Sequence, residues 1–514
     1  MSSIFLTTFL LFSSGPDYND IFKKSFNTAN KMRTEAFSWT AIHGRRDKPH
    51  YEVDGIKHGK NVKLVLYHVL KKRKKVLSLI MKDGKWYWEE GKRKGIYRPY
   101  EAPSDMVSAY FYILRSRPQF VTPATMRHLG SYERSLKRDH VFRTRLNGPE
   151  IQSMQQILAS YAGQLKSKQK GLDKKAIKTE ADYAAAFIRF GYLNRVDFNT
   201  GIVTYRGKYG RETEVDSFKW LDKVPEDAFK TEGKWQDFSK PIEDFDNWFL
   251  AEHSAYFIPG QPYAADGRLV NAKTGEVRRV PFPGFLTSAG CFSKDRKSIY
   301  VPAKTVTEDN FEIYQIPLNS RNIRRMGSPM RGIKLNPTIS PDGKKLAFIY
   351  SPNRFLVHKS RIMIINIATG INEYKSDEMD CAFLNWTPNS KGLIFQQNKK
   401  TNKNFVPMIK YLSPSKGTKT ICVGHSPKLI NGKLTYIDIY KKDWVMVDKD
   451  KKTRTFLKLQ NFGFPSVSKD GKSIIMIDYN KKKSPSPVLI DLETMKKKDI
   501  LKKEKGIWSN PNWH

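Results

Sequence analysis

The second half of this chain carries a repeated turn, and the length of the repeat strongly limits the possible fold. The stretch Ser340-Pro-Asp-Gly-Lys-Lys-Leu-Ala-Phe348 has counterparts that begin at residues 293, 387, 430 and 468. The aligned lysines are 47, 47, 42 and 39 positions apart: Lys297, Lys344, Lys391, Lys433 and Lys472. A period of about 40–45 residues is typical of a four-stranded β-propeller blade.

Each copy of the repeat predicts the same hairpin. The Asp-Gly or Asn-Gly step supplies the positive φ of a tight turn, and alternating apolar residues around it predict two strands. Arg361-Ile-Met-Ile-Ile-Asn-Ile367 predicts a third strand, and the turn at Thr369-Gly370 leads to a fourth. Each unit therefore accounts for one complete blade.

The two ends of the repeat region set the number of blades. Ser254-Ala-Tyr-Phe-Ile-Pro259 aligns as a second strand with no clear first strand before it. Trp508-Ser-Asn-Pro-Asn-Trp-His514 resembles an isolated first strand. Pairing the two segments closes a ring and removes its open sheet edges. We therefore predict a mainly β protein with a six-bladed β-propeller over 248–514, closed by the C-terminal strand.

The repeat resembles that of the TolB-like propellers, a WD40-like (PD40) family whose signature reads Pro-x-x-Ser-Pro-Asp-Gly-Lys. Residues Pro337 to Lys344 match this signature, whereas Arg296 and Ser390 replace its glycine in two other copies. The resemblance covers about half of the chain. It implies the propeller fold and, from the role of such propellers in the cell envelope, a protein that holds envelope complexes together.

Residues 17–231 predict a separate α+β domain, a curved antiparallel sheet with helices. Apolar residues recur at helical spacing in 18–32, and strand-like runs such as Val62-Lys-Leu-Val-Leu-Tyr67 follow. A helical, basic insertion is predicted around 104–190. The polar stretch 232–247 is predicted as the linker to the propeller.

An aromatic hairpin stands in the middle of this first domain. Its sequence is Lys82-Asp-Gly-Lys-Trp-Tyr-Trp88, and the Asp-Gly step predicts the turn. A leading helix followed by such a meander resembles the LolA/LolB-like lipoprotein carriers, whose sheet encloses a cavity for acyl chains. The resemblance implies that four aromatic residues line this cavity: Trp86, Tyr87, Trp88 and Tyr97. The alternative is an ordinary sheet core with a stabilising aromatic pair.

No residue pattern of a known catalytic or metal site stands out. The chain contains no Gly-x-Ser-x-Gly elbow, no His-Glu-x-x-His helix and no EF-hand loop. The three cysteines, Cys291, Cys381 and Cys422, form no Cys-x-x-Cys pair, and we expect buried, unreactive thiols. We predict no catalytic residue, no metal and no cofactor.

The charge of the chain is strongly positive, at +40 from 91 Lys and Arg against 51 Asp and Glu. The lysines are spread along the whole chain, and the excess reflects either general solvation or a functional field. Basic runs such as Lys71-Lys-Arg-Lys-Lys75 lack interleaved aromatic residues, so nucleic acid is not an expected partner. Anionic lipid or an acidic envelope polymer fits the charge better.

The first fifteen residues form an apolar run that ends in small residues, which is typical of a secretory signal peptide. We therefore expect a periplasmic or secreted protein, with a cytoplasmic location as the alternative. No later run is long and apolar enough to predict a transmembrane span.

Three functions are compatible with these features. The first is a non-enzymatic, exported binding or scaffold protein, with a protein partner on the propeller rim and lipid or lipoprotein at the N-terminal domain. The others are a hydrolase that acts on a peptide or glycan in the propeller channel, and a cytosolic scaffold that binds polyanions. The repeat places these residues near the rim where the innermost strands begin: Lys334, Asp380, His425, Phe462 and Trp508.

Deletion of residues 508–514 is predicted to unfold the propeller, because the first blade would lose its innermost strand and the ring would open. The measurement is the thermal unfolding of the propeller signal in the full and truncated proteins. A truncated protein that melts like the full chain would contradict ring closure by this segment.

Overall fold

A computed structural model describes most of the chain. Contacts divide it into two compact units, Met1–Pro99 with Ser108–Ser239, and Tyr100–Val107 with Lys240–His514. The described residues are 18–45, 48–70, 72–101, 113, 116–120, 131–135, 139–144, 192–197, 199–200, 202–208, 211–254, 266–286, 290–305, 311–320, 322–328, 330, 332–352, 360–400, 405–430, 432–440, 443–447, 453–457, 462–468, 470–478, 486–501 and 507–513. The predicted signal peptide, residues 1–15, lies outside them.

The first unit combines a helix, Tyr18–Thr34, with a thirteen-stranded sheet in its described part. The strands are β1 Phe37–Arg45, β2 Lys48–His58, β3 Asn61–His68, β4 Lys74–Lys82, β5 Lys85–Glu90, β6 Arg93–Tyr97, β7 Gln119–Phe120, β8 Ser131–Ser135, β9 Asp139–Thr144, β10 Tyr192–Asp197, β11 Ile202–Lys208, β12 Arg211–Trp220 and β13 Gln236–Asp237. Their order is β13-β6-β5-β4-β3-β2-β1-β12-β11-β10-β9-β8, and β7 pairs with β11. This mainly antiparallel sheet is consistent with the predicted α+β domain.

One face of this sheet is apolar, because side chains alternate in direction along each strand. A row of cross-strand neighbours crosses five strands on that face: Trp39, Gly55, Leu64, Leu79 and Trp88. A Cβ atom at Gly55 would lie 2.3 Å from the ring of Trp39, so glycine is needed beneath the indole. The four side chains of the row are buried.

The structure changes the prediction for two segments of the first half. The described part of 104–190 includes the strands β7, β8 and β9, so its beginning contributes to the sheet. Residues 145–190 lie outside the described residues, and the helical insertion stays a prediction there. The predicted linker 232–247 is held at two places by packing and pairing. Its strand β13 pairs with β6, and Ile242 is buried in the propeller core.

The second unit consists of six antiparallel sheets of four or five strands. Blade 1 contains β14 Trp248–Ser254, β15 Asp266–Asn271 and β16 Val277–Arg279; blade 2 contains β17 Gly284–Leu286, β18 Cys291–Phe292, β19 Ser298–Thr305, β20 Glu312–Pro317 and β21 Arg324–Met326. Blade 3 contains β22 Ile333–Ile339, β23 Lys345–Ser351, β24 Arg361–Asn366 and β25 Asn372–Lys375; blade 4 contains β26 Cys381–Trp386, β27 Leu393–Lys400, β28 Phe405–Ser413 and β29 Gly417–Val423. Blade 5 contains β30 His425–Ile430, β31 Lys433–Ile437, β32 Trp444–Val447 and β33 Thr453–Leu457; blade 6 contains β34 Phe462–Val467, β35 Ser473–Asp478, β36 Ser486–Asp491 and β37 Lys497–Asp499.

The last strand, β38 Ile507–Asn512, completes blade 1. It pairs antiparallel with β14, so the blade is ordered β16-β15-β14-β38 and its innermost strand comes from the other end of the unit. A short 3-10 helix, Phe245–Asn247, precedes β14. The predicted mainly β fold with a six-bladed propeller is confirmed.

The innermost strands share a bulge next to the central axis. In blades 3 to 6 two residues of the innermost strand face one residue of its partner, so the pairing register shifts by one residue between Leu335 and Thr338, Ala382 and Asn385, His425 and Lys428, and Gly463 and Ser466. In three strands the first bulged residue is not glycine and has a positive φ: 47° at Asn336, 54° at Phe383 and 51° at Ser426. A bulge changes the direction of side chains within a strand and often lies beside a functional site.

Arg296 links the closing strand to the first two blades. Its guanidinium is buried and donates hydrogen bonds to the carbonyl oxygens of Phe245 (3.1 Å), Trp248 (2.6 Å) and Trp513. Burial lowers the pKa of Arg296 to about 10, opposed by the nearby Asp246 carboxylate, so the group stays charged at pH 7. The residue that departs from the repeat signature thus ties β38 and β14 to the turn of blade 2.

We expect Arg296→Ala to destabilise the propeller by about 3 kcal/mol or more. The substitution leaves three carbonyl oxygens without their donor, and each unsatisfied buried group costs roughly 1–3 kcal/mol. The measurement is chemical denaturation followed by circular dichroism.

The control for this prediction is Ser390→Gly at the equivalent turn of blade 4, where φ is also positive, at 57°. Glycine suits that conformation, and the substitution removes one exposed hydrogen bond, in which Ser390 Oγ accepts from the backbone N–H of Asp342 at 3.2 Å, so the unfolding free energy is expected to change by less than about 1 kcal/mol. Equal stability of the Arg296 variant and the control would contradict the role assigned to the guanidinium.

Candidate binding face

One end of the propeller is the candidate binding face. In antiparallel blades the innermost strands begin, the second strands end and the third strands begin at the same end of the ring. We call this end the start face. The five rim residues predicted from the repeat lie at or next to it.

Lys334 is buried just inside the start face, on the innermost strand of blade 3. Its ammonium group donates to the carboxylate of Glu312 on blade 2, and the backbone N–H of Met330 donates to the same carboxylate at 3.3 Å. Burial lowers the pKa of Lys334, and Glu312 opposes this shift. This corrects the sequence prediction: Lys334 joins two blades and has no surface for a partner.

Asp380 and His425 are connected by a chain of hydrogen bonds between blades 4 and 5. The side-chain amide of Asn398 donates to Asp380 Oδ1 at 3.0 Å, and Gln396 Nε2 donates to Asn398 Oδ1 at 2.7 Å. The backbone N–H of Ser426 donates to Gln396 Oε1 at 3.0 Å, and its Oγ lies 3.2 Å from His425 Nδ1.

Asp380 and His425 are both half-buried, so their remaining surface is available at the start face. Burial lowers the pKa of His425, which keeps the ring mostly neutral at pH 7. Of the five predicted rim residues, these two are the ones that the structure brings together.

Trp508 and Phe462 lie at the predicted end of the ring, but Trp508 is no contact residue. Trp508 is fully buried, and its ring centroid lies 4.6 Å from that of His253, so it packs blade 1 and offers no contact surface. Phe462 begins β34 and pairs with Asp478 through the backbone. The side chain of Phe462 lies outside the described part of the structure.

Two aromatic side chains that the sequence analysis missed are exposed at this face. Phe405 begins the third strand of blade 4 and is 60% exposed, and Tyr440 lies in the following blade, in the loop after β31, and is 83% exposed. The backbone N–H of Tyr440 donates to Asp438 Oδ1 at 2.8 Å, which fixes the loop. They are the exposed aromatic residues of the described propeller, and the turn and strand signals around them gave no indication of their exposure.

The backbone between these blades is strained and tightly held. Phe383, a bulky residue with positive φ, lies in the bulge of β26. The side-chain amide of Asn385 donates to the carbonyl oxygens of Phe383 at 2.9 Å and Pro427 at 2.7 Å, so it bridges the bulges of blades 4 and 5. Strain of this kind persists only where the surrounding contacts fix it, and it concentrates at functional sites.

A sequence signal for these bulges was available. Proline follows the first bulged residue at Pro337 and Pro427, and the dipeptides Phe464-Pro465 and Asn510-Pro511 occupy the same place in other blades. Proline inside a predicted central strand argues for a bulge, because it cannot donate a ladder hydrogen bond.

Lys428 follows the bulge of β30. Surrounding protein lowers its pKa to about 8, through desolvation, although part of the side chain remains accessible to solvent. An innermost strand borders the central channel, so this remaining exposure is expected there. A lysine with this pKa is partly neutral near pH 8.

The aromatic residues predicted to line a cavity lie on both faces of the first unit's sheet. Trp86 and Trp88 are buried on the apolar face, and Tyr97 pairs with Trp86 across the strands. Tyr87 projects from the opposite face, since it lies between the two tryptophans on β5. Its ring meets that of Trp235 edge-on at 5.3 Å. These four residues therefore do not form one lining.

Thiols and metal ligands give no further site in the described residues. Cys291 and Cys381 are buried, and desolvation raises the pKa of each to about 12; Cys422 is half-buried. Within the described ranges, no group of three or more His, Cys, Asp or Glu side chains could hold a metal ion. No described helix is long and apolar enough to cross a membrane.

We expect Lys428→Met to stabilise the protein at pH 7 by about 1–3 kcal/mol, after discounting for partial exposure. The folded pKa of about 8 lies below the ordinary 10.5, so the unfolded chain binds the proton more tightly. Wild-type stability therefore rises with pH between these values, and the advantage of the variant fades as the pH approaches 10.5. Chemical denaturation at pH 7 and 9.5 measures the difference in unfolding free energy between the variant and the wild type. The control is Lys433→Met, at the exposed start of β31. A gain no larger than that of the control would contradict the prediction.

No family model matches the chain. It is 23% identical over 272 residues to dipeptidyl-peptidase 5 of Porphyromonas gingivalis, a match that covers 50% of this chain and 36% of that protein, so about a third of the relative's length.

Solved structures that are similar to the chain include two TolB proteins. TolB from Acinetobacter baumannii is 15% identical, with 62% of this chain and 78% of that chain covered and a TM-score of 0.41. A putative TolB from Agrobacterium tumefaciens is 14% identical, with 49% and 88% covered and a TM-score of 0.36. The second unit is a six-bladed β-propeller, and TolB proteins are among its structural neighbours, as the resemblance of the repeat implied.

Proposed function

We propose that this chain is a non-enzymatic, exported binding and scaffold protein of the cell envelope. Its start face holds a polypeptide partner at blades 4 and 5. The observation that supports this most strongly is the pair of exposed aromatic residues, Phe405 and Tyr440, on adjacent blades beside the half-buried Asp380 and His425.

The chemistry of this surface suits a protein ligand. Exposed tyrosine and phenylalanine side chains bury large apolar areas at little cost in conformational entropy, and aromatic residues dominate binding hot spots. Asp380 and His425 add hydrogen-bonding groups at the same end of the ring, where the innermost strands of blades 4 and 5 begin. An apolar centre with a polar rim is the usual composition of a protein–protein interface.

The support beneath the surface is rigid, which favours binding. The hydrogen bonds through Asn398, Gln396 and Ser426 hold the two polar residues, and Asn385 fixes the bulges below them. A surface that is ordered before binding loses less entropy when the partner docks. We therefore propose that the buried polar groups position the surface residues, and that the exposed residues contact the partner.

A hydrolase that acts on a peptide or glycan is the second candidate. The sequence match to a dipeptidyl-peptidase favours a peptide ligand, but it covers about a third of that protein. If the channel cleaves peptides, the purified chain will release fragments from a mixed peptide library. Intact peptides that bind in a Tyr440-dependent way would favour the scaffold function instead.

The first unit is proposed to contact lipid or lipoprotein. The support is its sheet with one apolar face, which carries Trp86 and Trp88.

Export to the periplasm or secretion is part of the same proposal. The alternative, a cytosolic scaffold that binds polyanions, predicts that residues 1–15 remain on the mature protein.

We expect the double variant Phe405→Ala/Tyr440→Ala to lose its partner. Tagged protein is incubated with envelope extract of the native host, washed at about 0.5 M salt to remove electrostatic passengers, and analysed by quantitative mass spectrometry. Loss of two hot-spot residues should lower the recovery of a stoichiometric protein by about tenfold or more.

The matched control is Ile371→Ala/Met495→Ala. Ile371 is 64% exposed and Met495 is also exposed, and both lie in turns at the opposite end of the ring from the start face. This variant should recover the partner like the wild type. A partner that both double variants lose equally, or neither loses, would overturn docking at blades 4 and 5.

A further inference from the structure

A second concave site lies between blades 3 and 4, away from the start face. It is an open cleft of about 580 Å³ at the end of the ring where the innermost strands end. Its walls come from the first and third turns of blade 4 and from β23 and β25 of blade 3. None of its residues belongs to the proposed docking surface.

The cleft is lined by three ammonium groups and one carboxylate. The Nζ atom of Lys345 lies 2.9 Å from Glu373 Oε2, and this contact and Asn366 lower the pKa of Glu373. Among the described residues, Lys391 and Lys416 have no carboxylate within ion-pair distance. Three lysines against one carboxylate leave the lining of the cleft with two positive charges in excess.

Aromatic rings form the other part of the wall. Trp386 is held by a hydrogen bond from its Nε1 to the carbonyl oxygen of Thr338 at 3.0 Å. Tyr411 lies against Gly392, where a Cβ atom would come within 2.5 Å of the ring carbon Cε2 and 2.6 Å of the hydroxyl oxygen, so glycine is needed for this close approach. Tyr374 completes the aromatic part, and Ser413 and Ser415, whose hydroxyl oxygens lie 3.2 Å apart, also line the cleft.

We propose that this cleft binds an acidic oligosaccharide, in which carboxylates meet Lys391 and Lys416 and a sugar ring packs against Tyr411. Ammonium groups pair with carboxylates, hydroxyl groups exchange hydrogen bonds with sugar hydroxyls, and aromatic side chains offer an apolar body with a polar tip. The site is independent of the proposed protein docking, because it shares no residue with it.

A neighbouring cleft extends the same chemistry along the ring. It lies between blades 2 and 3, also has a volume of about 580 Å³, and is lined by Arg324 and Arg325 together with the turn Thr369–Asn372. The two clefts flank blade 3, so a linear polymer can meet cations on both sides of it. This arrangement favours a chain of uronic acids over a single small anion.

The experiment measures binding of an alginate-derived guluronate hexamer by calorimetry at about 0.15 M salt. The full chain is compared with Lys391→Gln/Lys416→Gln and with Lys297→Gln/Lys472→Gln. The second pair carries the same change in charge, and both of its lysines are exposed at the turns of blades 2 and 6 that correspond to the turn of Lys391. We expect about tenfold weaker binding or more for the first variant, and less than about twofold for the second.

Two further arms test the class of ligand. Neutral maltohexaose should bind at least about tenfold more weakly than the guluronate hexamer, and Tyr411→Leu should weaken guluronate binding while leaving the melting temperature of the chain close to that of the wild type. Equal losses in both lysine variants would assign binding to the overall charge and overturn the site. Polyphosphate that binds as tightly, with the same dependence on Lys391 and Lys416 and none on Tyr411, would overturn the saccharide.

Discussion

Ring closure is the constraint on which the rest of the propeller depends. Each blade packs between two neighbours, so an open ring would expose the apolar face of the first and last blades to water. The pairing of β38 with β14 supplies this closure, and the buried guanidinium of Arg296 holds three carbonyl oxygens from both sides of the joint. A charged group is expensive to bury, and it is tolerated here because every hydrogen bond that it makes satisfies a backbone oxygen.

The inner strands show how a stable ring can present a specific surface. Their bulges break the regular ladder near the axis, and polar side chains such as Asn385 and Gln396 satisfy the backbone groups that the bulges release. These polar residues connect blade 4 to blade 5, so the strained segment is also a joint between blades. The exposed residues Phe405 and Tyr440 belong to these two blades, which the hydrogen bonds hold together. The clefts on the other side of the ring are formed largely by turns, and their positive charge comes from lysines in one cleft and from Arg324 and Arg325 in the other.

The fold was largely readable from the sequence, whereas the site was readable in part. The Asp-Gly turns mark one hairpin in each repeat, and a repeat of about 40–45 residues is typical of a four-stranded blade. The six-bladed propeller could therefore be predicted from the sequence. Lys334 and Trp508 were placed at the correct end of the ring, but the sequence could not show that they are buried, since burial depends on the neighbouring blade. Gln396 and Asn398 were missed for the same reason: their partners Ser426 and Asp380 lie far from them in sequence, in β30 and just before β26. The prolines of the bulges were the local signal that was present and not used.

The position of the closing strand also orders events in time. Blade 1 takes β14 from residue 248 onward and β38 from residue 507 onward, so its halves leave the ribosome more than two hundred residues apart. Blades 2 to 6 are each contiguous and can form their local hairpins as they are made, while β14, β15 and β16 wait as an incomplete sheet with an open edge. An unpaired edge of this kind is prone to pair with another chain. The nascent protein therefore passes through a vulnerable stage that ends only when the last strand is synthesised, and a chaperone that shields the edge of β14 would act during that interval.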